Sequence, residues 1–93
     1  MGNPITLITI RDPWVLYPNP ANNILNVKRR FLNEKMEISK INIYNSNGRL
    51  NETFDSPFGF ENQLIDLSGL ASGLYFVEII SNKTKYITKI IVN

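Results

Sequence analysis

The chain has 93 residues, 43% of them apolar, which suits one small domain burying somewhat more than ~60% of the surface its unfolded chain exposes. It has no cysteine and no histidine, which excludes disulfides, thiolate chemistry, imidazole bases and the commonest zinc ligands. Ten basic against eight acidic residues leave a net charge of +2, too small and too scattered for a nucleic-acid footprint. No stretch approaches the roughly 20 apolar residues of a membrane span, and the first residues lack the basic and apolar regions of a secretory signal. The Met1-Gly2 start suggests a piece taken from a longer protein.

Residues 1 to 13 read as a linker, as a segment added for expression, or as a strand at a sheet edge: Ile5 to Ile10 is rich in β-branched residues, but Arg11-Asp12-Pro13 separates it from Trp14 and the residues beyond. The domain proper is assigned to residues 14 to 93. Trp14 to Tyr17 is expected as an edge strand that leaves its sheet at Pro18, because neither Pro18 nor Pro20 has an N–H to donate. The run Pro18-Asn19-Pro20-Ala21-Asn22-Asn23 then forms a corner. Ile24 to Phe31 puts Leu25 and Val27 on one face and Asn26 and Lys28 on the other, the alternation of a half-buried strand. Asn33-Glu34-Lys35 turns the chain.

Met36 to Tyr44 carries apolar residues at even positions early (Met36, Ile38) and at odd positions later (Ile41, Ile43), which predicts a bulge near Ser39-Lys40. Asn45-Ser46-Asn47-Gly48 is a tight-turn signal, so Arg49 to Phe54 returns antiparallel. A loop at residues 55–62 leads to a short strand at Gln63 to Leu67, and Ser68 to Gly73 is too short and glycine-rich for a helix. Gly73 to Ile80 and Lys85 to Val92 close the chain as a long hairpin. About seven short strands without a credible helix predict an antiparallel, immunoglobulin-like β-sandwich.

Several separated motifs together resemble the C-terminal sorting domain of the Bacteroidetes type IX secretion system. They are Tyr17-Pro18-Asn19-Pro20-Ala21 followed by Leu25-Asn26-Val27; Ile43-Tyr44-Asn45 with Gly48; Ile65-Asp66-Leu67-Ser68 with Leu70; Gly73-Leu74-Tyr75; and Lys89-Ile90-Ile91-Val92. The resemblance covers roughly residues 15 to 93 and implies a seven-stranded sandwich carried behind a secreted cargo domain. It implies recognition in the periplasm, passage through an outer-membrane translocon, and removal by a sortase-like peptidase with attachment of the cargo to the cell surface, or its release.

The residues themselves allow more than one reading. The Pro18-Asn19-Pro20 corner serves either as a rigid turn or as a partner's contact. Gly73 is expected to allow a backbone geometry that a β-carbon would block, and Tyr75, facing the same way as Val77 and Ile79, to be a core ring whose hydroxyl reaches the backbone. On the last strand, Lys85, Ile87, Lys89 and Ile91 share one face and Tyr86, Thr88, Ile90 and Val92 the other. If the second set packs inward, the first is a mixed basic and apolar stripe suited to recognition, or a lysine-protected edge. Partner recognition is therefore assigned to Pro18, Asn19, Pro20, Gly73, Tyr75, Lys85, Lys89 and Ile91.

Lys28-Arg29-Arg30 alternates across a strand and reads as a solvated end. Phe58 and Phe60, with Trp14 or Tyr17, offer the alternative of an aromatic platform for sugar stacking in a carbohydrate-binding or adhesive module. Asp55, Glu61 and Asp66 would suit a calcium ion only if their loop folded back. No nucleophile motif accompanies the acids, so neither catalysis, a cofactor nor a metal is expected.

Overall fold

The computed structural model describes residues 13–29, 38–55, 63–81 and 84–93, and every structural statement below concerns those residues. They form seven strands and no helix: β1 (Trp14–Tyr17), β2 (Ile24–Arg29), β3 (Ile38–Asn45), β4 (Leu50–Asp55), β5 (Gln63–Asp66), β6 (Gly73–Ser81) and β7 (Thr84–Val92). The expected turn at Asn33-Glu34-Lys35 and the loop carrying Phe58 and Phe60 lie outside the described residues, as does Ile5 to Ile10.

Two antiparallel sheets result, one of three strands in the order β1-β2-β5 and one of four in the order β4-β3-β6-β7. Strand alternation determines which faces meet. Leu25 and Val27 on β2, Ile41 and Ile43 on β3 and Val77 on β6 are fully buried, as is Ile90 on β7. With Trp14, Ile38, Ile65, Leu67, Tyr75, Ile79 and Val92 they fill the space between the sheets. Each large aliphatic side chain removed from water contributes about 1.5–3 kcal/mol, which is the main favourable term in a chain without disulfides. The molecule is an immunoglobulin-like sandwich in which the fourth strand joins the larger sheet beside β3.

The bulge expected near Ser39-Lys40 is present. Ile38 pairs with Ser81 and Lys40 with Ile80, so the ladder slips between them. The slip lets Ile38 and Ile41, of opposite parity, both face the core. Ser39 compensates for its missing ladder position by donating its hydroxyl to the Ile80 carbonyl (3.2 Å). A second irregularity between Ile43 and Tyr44 in the β3–β4 ladder has no counterpart in the apolar pattern.

The Asn45–Gly48 turn is built as its sequence suggests. The Asn45 side-chain oxygen accepts the N–H of Asn47 (2.9 Å) and of Arg49 (3.0 Å), and Gly48 takes a φ of 85°. At the start of β6, Gly73 has a φ of 152°, a region that favours glycine, and Tyr75 turns its ring into the core. The Tyr75 hydroxyl donates to the Ala71 carbonyl at 2.7 Å, the tyrosine corner of immunoglobulin-like folds. Tyr75→Phe keeps the ring and loses this bond, so urea unfolding should show a loss of about 1 kcal/mol. An unchanged midpoint would mean that the loop from Leu67 to Ser72 does not depend on it.

A candidate recognition surface at the last strand

The chain leaves β1 through two cis peptide bonds, Tyr17-Pro18 and Asn19-Pro20. Asn26 secures the exit by donating its side-chain N–H to the Tyr17 carbonyl (3.1 Å). The corner then crosses from the smaller sheet to the outer edge of β7 in the larger one. Asn19 Nδ2 donates to the Lys89 carbonyl (3.2 Å), while Asn19 Oδ1 accepts the Ile91 N–H (2.9 Å). Ala21 N–H donates to the Ile91 carbonyl (2.7 Å) and Asn93 N–H to the Ala21 carbonyl (2.8 Å), forming a parallel bridge between Ala21 and Val92. Asn93 Nδ2 adds a bond to Asn22 Oδ1 (3.1 Å).

This arrangement explains the residue types. A carboxamide offers one donor and one acceptor, as a peptide group does, so Asn19 occupies the edge as a further strand residue would. Pro18 and Pro20 lack N–H groups and lie exposed, and Ala21 is fully buried. The corner is thus a short parallel strand capping the end of β7.

The outward face of β7 carries Lys85, Ile87, Lys89 and Ile91. Ile87 and Ile91 stand 60% and 47% exposed while Ile90 and Val92 are buried. On β6, Leu74 lies opposite Ile91 and Phe76 opposite Lys89, which widens the apolar part of the stripe.

Beneath it sits a buried acid. Glu78 faces outward opposite Ile87, yet it is only 6% exposed. Its Oε1 accepts from Asn42 Nδ2 (2.8 Å) and from the Tyr44 hydroxyl (2.9 Å), and Thr53 Oγ1 in turn donates to Asn42 Oδ1 (2.9 Å). Lys85 Nζ lies 4.0 Å from Glu78 Oε2. The Asn42 bond holds the Glu78 carboxyl below its ordinary value of 4.5 against the opposing effect of burial, helped by Tyr44 and Lys85. The Glu78 hydrogen bond, seconded by burial and the Glu78 charge, raises the Tyr44 phenol.

A carboxyl whose folded pKa is depressed stabilises the fold fully above its unfolded pKa and loses that contribution as pH falls through the folded one. Acid titration of stability should therefore show a decline beginning near pH 4.5 that is shallower in Glu78→Gln. Equal slopes in the two proteins would contradict the arrangement.

Of the residues assigned to recognition, the structure brings the Asn19 side chain to Lys89 and Ile91, and pairs Gly73 with Val92 on the neighbouring strand. Lys85 lies further along the same face. Tyr75 is in the core, so it shapes β6 from inside. The roles of Ala21, Asn22 and Glu78 were not anticipated. The Asn-rich corner hinted at side-chain bonding, and an acid between Val77 and Ile79 in an apolar strand is the only sign of the Glu78 network.

One expectation is corrected. Trp14 is 3% exposed, held within the core cluster, and offers no ring face for sugar stacking. Phe58 and Phe60 lie outside the described residues, and Tyr17 is 38% exposed. Asp55 and Asp66, which would suit calcium only if their loop folded back, lie on strands of different sheets and have their own partners, Lys40 Nζ at 3.6 Å and the Ser68 N–H at 2.9 Å. Glu61 lies outside the described residues, among which no cluster of three or more potential metal ligands occurs.

Fold and surface together define a small all-β sandwich that presents a basic and apolar strand beside a tied-down corner. The chain belongs to the secretion-system C-terminal sorting domain family, whose sequence model matches residues 15–93. A search of curated proteins found no match. The family is one of sorting signals in type IX secretion and not of catalysts, and it implies a cargo protein exported to the cell surface or beyond. Among the described residues no helix is long and apolar enough to cross a membrane.

Proposed function

We propose that this domain is the non-catalytic signal that directs an upstream cargo protein from the periplasm across the outer membrane of a Bacteroidetes cell. Its recognised surface is the Pro18-Asn19-Pro20 corner joined to β7, with Lys85, Lys89 and Ile91 as contacts for the translocon. Gly73 and Tyr75 support that surface by fixing the start of β6. After passage a sortase-like peptidase removes the domain within residues 1–13, and the cargo is attached to the cell surface or released.

The observation that carries this reading is the union of two motifs far apart in the sequence. The family match includes both the corner and the last strand, and hydrogen bonds from Asn19 and Ala21 knit them into one edge. Without that edge the family assignment would name a role but no surface.

The test is a gain of function. The whole chain is fused behind a periplasm-directed reporter in a bacterium with a working type IX system. The reporter should appear outside the cell and stay in the periplasm when the translocon is deleted. Retention of the fusion with the system intact would overturn the proposal, and mass spectrometry of the exported reporter would locate the cut.

A further inference from the structure

In an antiparallel strand both backbone groups of one residue point to one neighbour and those of the next residue point to the other. The Ile91 N–H and carbonyl and the Lys89 carbonyl all go to the corner, so the backbone groups of Lys85, Ile87 and Lys89 point the same way, away from β6. The corner consumes this edge from Lys89 onward. Among the described residues nothing pairs with the N–H groups of Lys85, Ile87 and Lys89 or with the carbonyls of Lys85 and Ile87.

We propose that this open stretch of β7 accepts an extended segment of a partner protein as an added strand, and that the segment carries the pattern acid-x-apolar-x-acid. The proposal rests on the reading of this surface as the recognition site and names the chemistry of what it recognises. Three observations converge on it. The edge already takes one added segment, the corner, so its geometry suits strand addition. The corner also fixes the length, because an incoming strand cannot pair beyond Lys89. The outward side chains set the sequence: an added strand aligns its own outward residues beside Lys85, Ile87 and Lys89, where opposite charges attract and like charges repel.

Charge also argues against self-association. Two copies paired antiparallel about Ile87 would set lysine against lysine on both sides of the centre. Edge lysines discourage indiscriminate pairing in the same way, so the protecting residues double as a filter for acidic strands. Glu78 takes up part of the Lys85 charge at 4.0 Å, while Lys89 has no ion-pair partner among the described residues. Lys89 is therefore the stronger attractor.

The test uses the whole isotope-labelled chain, titrated to about 1 mM with the acetylated peptide amide Thr-Glu-Thr-Val-Thr-Glu-Thr, the range suited to a weak short ligand. Saturable shifts are expected at the amides of Lys85, Ile87 and Lys89, with affinity falling about tenfold at high salt. The peptide with lysine in place of glutamate should leave them unmoved, whereas the double variant Lys85→Glu, Lys89→Glu should reverse the preference. No shift at those amides, or equal shifts from both peptides, overturns the proposal. So would exchange protection there in the free chain, which would assign the edge to a second copy or to residues 1–12.

Ile87→Pro separates the edge from the face. The Ile87 N–H points away from β6, so proline there blocks an added strand without removing a ladder bond. With a thermal melt confirming the fold, reporter export should fall by about tenfold or more, as expected for loss of a central backbone contact. Native export in Ile87→Pro together with lost export in Lys89→Glu would defeat strand addition and leave the recognition surface intact. Failure of the native fusion to leave the cell would defeat the recognition reading itself.

Discussion

Truncating Ile79 to alanine is expected to cost about 3 kcal/mol of stability. Ile79 is 1% exposed and sits in β6 between β3 and β7, opposite Ile41 and Tyr86. Both neighbouring strands are held in ladders and cannot close in, so the lost transfer free energy is joined by that of a cavity. Against a total of about 5–15 kcal/mol, such a loss is a large share. At about 4–8 °C per kcal/mol for a domain of this size, thermal unfolding should shift down by ~12–24 °C. Leu64→Ala removes a side chain that is 68% exposed and should move stability by less than about 0.5 kcal/mol. Similar losses in the two variants would contradict the core described above.

The second large effect concerns the corner. Asn19→Ala should lower stability by about 1–2 kcal/mol, since it removes two side-chain bonds to an exposed strand edge. Hydrogen exchange should show the change locally, with the Ile91 amide losing most of its protection and those of Ala21 and Asn93 following. Asn19→Asp is the sharper variant. A carboxylate can still accept from Ile91, but it cannot donate to the Lys89 carbonyl and instead sets two acceptors against each other. It should do no better than alanine. Unchanged exchange at Ile91 in both variants would mean that the corner is held without Asn19, by the bonds of Ala21 and Asn22.

Much of the fold was legible because strand alternation is a local signal. The parity switch between Ile38 and Ile41 disclosed the bulge, and Asn47-Gly48 disclosed the turn. Tyr75, read as a core ring with a hydroxyl bound to backbone, proves to be one. The division of β7 into a packed and a presented face was also visible in the order of its lysines and isoleucines.

What escaped was whatever depends on distant partners. Nothing near Asn19 says that its carboxamide meets Lys89 and Ile91 at the other end of the chain. The cis state of the bonds before Pro18 and Pro20 is not written in the sequence either, since X-Pro bonds allow both isomers. Trp14 beside a proline looks available for stacking, and only the opposing sheet shows that it is covered. Glu78 lies on the outward side of its strand, where alternation predicts solvation. Its burial follows from Asn42 and Tyr44 on the adjacent strand, which no local pattern reveals.

On the proposed reading, the domain's working part is a surface assembled from both ends of the described fold. The family supplies the role of sorting signal, and the proposal assigns that role to the corner with the last strand. The most direct measurement is the exported fraction of a reporter fused to the native chain and to Lys89→Glu, with thermal melts showing both folded at the growth temperature. Lys89 lies on the exposed face of β7 and its side chain takes no part in the core, so the variant should keep its stability to within about 0.5 kcal/mol. The account predicts export of the native fusion and retention of the folded variant in the periplasm. Equal export of the two would contradict it and move the recognised surface away from the last strand.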